Sequence, residues 1–327
     1  MLFQLEPLRF SFIAREPIYF PEGKSSNILR GAFGVVFRRI ACLPQCPGAA
    51  ACEHRATCPY ARLFEPIATG PGPSGLADWP RPFVFRAIHL DGQTFAPGQP
   101  FHFDLNLFDI NSPAIAYFVL TFAQLARDGL GPARGKIDLT TVSKLNRNGD
   151  PNTLIYENGL IKTQHHLPPL TLDLTPIGEP ISRVRVKFLT PTELKSGRQI
   201  APRPEFAILA SRARDRISTL CELYGAGPLP LDFRAFGERA ALVEMTGCAI
   251  ENVDIQRRST RTGQTHSIGG FIGEAEYEGD LAEFVPYLKA AQWTGVGRQT
   301  VWGKGEIVVQ ESPARPGPYP GQGEAAK

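Results

Sequence analysis

The sequence predicts an α+β protein of two tandem ferredoxin-like domains, each running β-α-β-β-α-β, with a Cys-rich insertion after the first helix. Three observations carry this. Period-two and helical stretches follow one another in the same order in the two halves. Each half ends in a helix, a glycine turn and a strand, the turns being Gly129–Gly135 and Gly295–Gly305. The 327 residues include 32 glycines and 30 prolines, which favours many short elements over a helical bundle. A chain of this length can bury a core in each of two domains.

Leu8, Phe10 and Phe12 alternate with Arg9 and Ser11 as a first strand. Ser25, Ser26 and Asn27 offer N-caps for a helix whose core face is Leu29, Phe33, Val36, Phe37 and Ile40. After the cysteines come strands at Phe83–Leu90 and Phe101–Phe108, a helix at Pro113–Arg127, the first glycine turn and a strand at Lys136–Ser143. The second half opens with Ser182–Leu189, where Val184, Val186 and Phe188 alternate with Arg183, Arg185 and Lys187. A helix at Glu205–Leu223 follows, with Arg212, Arg214 and Arg216 mostly outward. Strands at Thr246–Arg258 and Ser267–Tyr277 come next. Asp280 and Glu283 form a capping box for a helix to Ala291, and the second glycine turn leads into the strand Gly305–Val309. The expected boundaries are 1–166 for the first domain with its insertion at 42–58, 167–180 for a Pro-rich linker, 181–311 for the second domain, and 312–327 for a disordered tail.

Charge and hydropathy narrow the function classes. With 35 basic and 32 acidic residues the net charge is +3, too mild to establish a nucleic-acid partner without regard to where the arginines sit. The N-terminus lacks a basic segment followed by an apolar stretch, and the longest apolar run, Ala114–Ala126, contains Gln124 and is too short to span a bilayer. The expectation is a cytoplasmic protein with no membrane partner.

Three groups of residues suggest chemistry. The turn G-V-G-R-Q-T-V-W-G-K-G carries Gly295, Gly297, Gly303 and Gly305 around Arg298 and Lys304. Glycines with two cations suit a phosphate chain. The turn follows a helix and precedes a strand, the reverse of a dinucleotide fingerprint. Arg30, Gly34 and Arg38 sit four apart on one helical face, a strip that leaves room for a polyanion or is simply solvated. Arg134 occupies the first glycine turn. Cys42, Cys46, Cys52 and Cys58 have C-x3-C-x5-C-x5-C spacing, which fits a structural zinc held by four thiolates, with reduced cysteines or an iron–sulfur cluster as alternatives.

With two ferredoxin-like (RRM-like) units and that glycine loop before the last strand, the chain resembles the CRISPR-associated endoribonucleases of the RAMP superfamily, which process precursor CRISPR RNA. Leu29–Gly34 (L-R-G-A-F-G), Cys58–Glu65 (C-P-Y-A-R-L-F-E) and Phe188–Lys195 (F-L-T-P-T-E-L-K) look like the same family. The resemblance implies metal-independent cleavage: a 2′-hydroxyl attacks the adjacent phosphodiester, leaving a 2′,3′-cyclic phosphate and a 5′-hydroxyl, with no catalytic cofactor. It implies CRISPR repeat RNA, as precursor and as mature guide, for a partner, and other CRISPR effector subunits besides. Relatives often carry a histidine in or just before the first helix. Here no histidine lies between Met1 and Cys52, and Val35 stands where relatives often place one.

The candidates for the chemistry are therefore Tyr19 and Lys24, between the first strand and the first helix, Arg30, and His266 in a hairpin beside Arg257, Arg258 and Arg261. Arg38, Arg134, Arg258, Arg261, Arg298 and Lys304, with Gly295, Gly297, Gly303 and Gly305, are the expected RNA contacts. The missing early histidine leaves a second reading, a non-catalytic RNA-binding subunit of a CRISPR ribonucleoprotein. A third, nucleic-acid contact through the cysteine cluster, has only Arg55 and Arg62 nearby to support it.

Overall fold

Leu2–Ala14 forms a single long strand, β1, whose alternation shifts phase at Glu6–Pro7, so that its two ends bury opposite faces in two different cores. Phe3 and Leu5 enter one core; Leu8, Phe10, Phe12 and Ala14 enter the other. The computed structural model describes residues 1–68, 79–162, 168–258 and 263–312.

In chain order the first half continues with β2 (Ile18–Tyr19), α1 (Ser25–Ala41), α2 (Pro59–Leu63), β3 (Phe83–Arg86), β4 (Thr94–Phe95), β5 (Pro100–Leu107), α3 (Ala114–Asp128), β6 (Ile137–Leu145), β7 (Pro151–Glu157), β8 (Leu160–Ile161) and β9 (Leu170–Asp173). The second half contains β10 (Arg183–Thr192), β11 (Lys195–Ser196), β12 (Gln199–Ile200), α4 (Phe206–Tyr224), α5 (Phe233–Ala240), β13 (Glu244–Val253), β14 (Gln256–Arg258), β15 (Thr265–Ser267), β16 (Gly270–Glu278), α6 (Val285–Thr294) and β17 (Ile307–Ser312).

Two antiparallel sheets organise the chain. The first runs β3-β5-β1-β6-β7-β8, with β9 also paired to β1; the second runs β13-β16-β10-β17. In each, the half's first main strand (β1, β10) lies between its third (β5, β16) and its last (β6, β17). Helices α1 and α3 cover the first sheet through stacked Phe33 and Phe118, whose centroids are 4.4 Å apart. Helices α4 and α6 share the core of the second.

Several local expectations shift. The Pro-rich join holds β9, whose Leu170–Asp173 pair with Leu2–Leu5, so this stretch adds a strand to the first sheet. Helix α1 starts at Ser25, but the cap is tertiary: the Ser25 N–H donates to Asp91 Oδ1 at 3.0 Å. The box at Asp280 and Glu283 does not open α6, which begins at Val285 with Pro286 in its first turn; Glu283 pairs with Arg239 instead. Arg214 is not outward: it is buried against Asp215 and the Phe233 carbonyl. The expected tail falls outside the described residues from 313 onward.

The halves are joined at the C-terminus of α6. Arg86 of β3 donates to the carbonyls of Gln292 and Trp293 and Asn106 of β5 to that of Trp293, while Arg216 of α4, in the same half as α6, donates to that of Thr294. Positive groups on the last carbonyls of a helix stabilise it, by up to about 2 kcal/mol where partly buried. The first sheet thus grips the helix that leads directly into the second glycine turn.

Candidate nucleic-acid interface

The two long hairpin strands expected at Thr246–Arg258 and Ser267–Tyr277 each break: β13 gives way to β14 at Asp254–Ile255, and β15 to β16 at Ile268–Gly269. The break is built by glycine, since a Cβ on Gly269 would meet the Val253 carbonyl. Ile255 at the bend packs where a Gly23 Cβ would be, so the hairpin end folds over the entry to α1. There Arg257 and His266 stand directly opposite each other across β14 and β15. Facing cross-strand partners place their side chains on one face.

That face meets Trp302. The Arg257 guanidinium lies 4.3 Å from the indole ring centre, and the His266 ring centre is 6.3 Å away, tilted by 46°. From α1, Arg30 reaches the same indole at 5.9 Å and Phe64 at 4.8 Å. Cation–π contacts of this kind contribute about 0.5–2 kcal/mol each, more as they lose water. An open cleft of about 960 Å³ runs past these groups, lined among the described residues by Arg30, Arg38, Arg39, Arg81, Arg257 and His266, with Glu65 its one carboxylate. Burial first, then Arg81 and Arg257, pull the Arg30 guanidinium down to about 9. Burial also lowers Arg257. Of these cations Arg39 pairs with Asp128, while Arg30 and Arg257 have no ion pair among the described residues and gain most from an incoming anion.

Of the expected site residues, the cleft brings together Arg30, Arg38 and His266. Arg38 is exposed and also donates to the Cys46 carbonyl at 3.3 Å. The room expected over Gly34 is not open, because the Phe64 ring fills it. Tyr19, on the short strand β2, and Lys24, at the N-terminus of α1, do not line the cleft. Arg134 is exposed in the first glycine turn, which packs on Pro17–Tyr19, and it too lies outside the cleft lining. Arg258 pairs with Thr265 through its backbone; Arg261, like His165 and His166, falls outside the described residues.

The second glycine turn differs from its expected form. Lys304 is only 2% exposed and sits 3.7 Å from Glu193, which also pairs with Arg298. One carboxylate thus faces both loop cations. The backbone is largely committed as well: the N–H groups of Gly295, Gly303, Gly305 and Arg298 donate to the carbonyls of Ala291, Thr300, Pro191 and Glu193. Gly295, Gly297, Gly303 and Gly305 all have positive φ. A Cβ on Gly303 would come 2.5 Å from Ser26 Cβ, and one on Gly297 or Gly305 would strike the carbonyl of Glu193 or Val296. These glycines let the loop press against α1 and the end of β10.

The expected zinc at the cysteines is not supported by the structure. Cys42, Cys46, Cys52 and Cys58 are half-buried free thiols, and among the described residues no group of three or more His, Cys, Asp or Glu is placed to hold a metal ion. The four thiols and His54 line one small pocket. Sequence reasoning passed over Trp302 as a functional residue and took Arg257 only as a neighbour of His266. The arginines beside His266, and an indole inside a glycine loop, were the available signals.

Comparison with known proteins adds the following. Residues 3–168 match the model of the AF_1859_N N-terminal domain, and residues 186–307 match that of the CRISPR-associated endoribonuclease Cas6. No curated protein matches the sequence. Among solved structures, Thermus thermophilus Cas6 (TTHB231) is 16% identical, with a TM-score of 0.52 over 94% of this chain and 98% of its own. Its product complex gives 17% and 0.54 over 94% and 100%. A partial Cas6-RT-Cas1–Cas2 complex gives 11% and 0.55 over 96% of this chain and 47% of the longer one. At these identities the likeness is one of fold. Among the described residues no helix is long and apolar enough to cross a membrane.

Proposed function

We propose that this chain, whose residues 186–307 match the CRISPR-associated endoribonuclease Cas6 model, acts as a Cas6-type endoribonuclease of the RAMP superfamily and cuts CRISPR repeat RNA in the cleft of Arg30, Arg257 and His266. The observation that carries this reading is the facing pair Arg257 and His266, brought over α1 beside Arg30 in an open cleft.

The step is transesterification. The 2′-hydroxyl of one nucleotide attacks the adjacent phosphorus, the P–O5′ bond breaks, and the products are a 2′,3′-cyclic phosphate and a 5′-hydroxyl. Attacking and leaving oxygens must be in line, which the cleft walls would enforce. A histidine can accept or donate a proton near neutral pH, and His266 takes that part. Arg30 and Arg257 stabilise the charge that grows on the phosphorane oxygens, and Arg38 holds the flanking backbone. Tyr19 and Lys24, outside the cleft lining, are left without a part in the chemistry. Arg298, paired with Glu193, is a secondary contact.

In this reading each half is a ferredoxin-like unit, supported by the shared strand order, with the division near 167–180. The mature guide stays bound, and other CRISPR proteins are partners. One structural relative is itself part of a Cas6-RT-Cas1–Cas2 complex. A second reading, an RNA-holding subunit that does not cut, is favoured by Val35, 61% exposed in the cleft wall in place of a histidine.

The test is labelled repeat RNA from the host's CRISPR locus, incubated with the protein in EDTA and mapped by gel and end-group analysis. One cut bearing a cyclic phosphate, lost in His266→Ala, is expected. Tight binding with no cut would support the second reading.

A further inference from the structure

We propose that Trp302 is a positioning residue: it holds Arg257, Arg30 and His266 where the scissile phosphate sits, without touching the reacting atoms. This rests on the reading of the cleft as the cleavage site. Trp302 ends a 3-10 turn (Thr300–Trp302) bounded by Gln299 and Gly303, both in left-handed conformation. Gly303 lies flush against Ser26, so the loop delivers the indole to the one place where α1, the β14–β15 hairpin and the second glycine turn meet.

The three functional groups arrive from three distant parts of the chain, and among the described residues none is tied to another by a hydrogen bond or an ion pair. Arg257 has no carboxylate partner there, and the buried Nε atoms of both Arg257 and Arg30 have no acceptor. Two desolvated guanidinium groups of like charge repel each other and would swing toward water. The face of the indole offers both a negative quadrupole, and its edge meets no acceptor either, so the ring is held by packing alone. Removing the ring would leave Arg257 present but no longer pre-aimed, while Arg30 would keep only its contact with Phe64. Preorganised charge is what lowers the barrier, so the loss should fall on the chemical step rather than on binding.

The test compares Trp302→Phe, which keeps an aromatic face, with Trp302→Leu, which keeps apolar bulk without one. Cleavage of labelled repeat RNA is followed under single turnover, with the dissociation constant measured separately. Trp302→Leu should cut roughly tenfold or more slowly at saturating RNA, with affinity changed less than about threefold, while Trp302→Phe stays within about threefold of wild type. In the RNA-free protein, the Arg257 Nε–H resonance should show a ring-current shift that Trp302→Leu abolishes. Equal cleavage rates for Trp302→Leu and wild type, or an unshifted Arg257 resonance in the wild type, would overturn the proposal. Should the wild-type chain cut no repeat RNA, the reading of the cleft falls, while the resonance still decides whether Trp302 holds Arg257.

Discussion

The two glycine turns are built alike and end up with different work. Each follows a helix, precedes the last main strand of its half and contains glycines at positive φ. The first, after α3, closes on itself through the Leu130–Gly135 bridge and packs on Pro17–Tyr19, leaving Arg134 in water. The second, after α6, lies where the halves meet: it presses on α1, buries Lys304 against Glu193 and sends Trp302 among the cleft arginines. A local motif specifies that a turn forms. Its position between the two cores specifies what the turn touches.

The sharpest way to break this contrast is at the cations the second turn supports. Arg257→Ala should lower single-turnover cleavage by about 10²–10³-fold, the usual loss on removing one preorganised donor; a loss under tenfold would move the chemistry elsewhere. Next comes the backbone. Gly303→Ala forces a left-handed residue against Ser26 and should cost about 2 kcal/mol in denaturant unfolding, with cleavage by the folded fraction also reduced. Gly131→Ala in the first turn should cost about 1–2 kcal/mol and leave cleavage by the folded fraction unchanged. Equal effects of both substitutions on cleavage would erase the distinction.

Smaller effects separate the loop cations. Arg298→Ala should weaken RNA binding only about threefold at moderate salt, because Glu193 already offsets much of its charge. Arg134→Ala should stay within about twofold and leave the slope of affinity against salt unchanged; a slope lower by about one would mean that the first turn also contacts a phosphate.

Much of the scaffold was legible in the chain. The alternation at Leu8–Phe12 and Val184–Phe188 and the helical spacing of Leu29, Phe33 and Phe37 each report a one-sided core, and each found one. The repeated helix, glycine turn and strand gave the second turn its place. Less of the site was legible. Arg30, Arg38 and His266 were picked out by residue type and reached the cleft, while Lys304, picked out by the same logic, was buried by a glutamate more than a hundred residues earlier in the chain.

Sequence by itself determined the elements, because hydrophobic period and glycine conformation act over a few neighbouring residues. It pointed to a hairpin beside His266 but not to the register that sets Arg257 opposite it, which follows from the break at Ile268–Gly269. Only the tertiary structure decided that Asp91 caps α1, that Phe64 fills the space over Gly34, that Glu193 meets both loop cations, and that residues 30, 257 and 302 share one point. The first three are contacts within one half and the last depends on how the two cores dock, and no short-range pattern encodes a distance between residues tens to hundreds of positions apart.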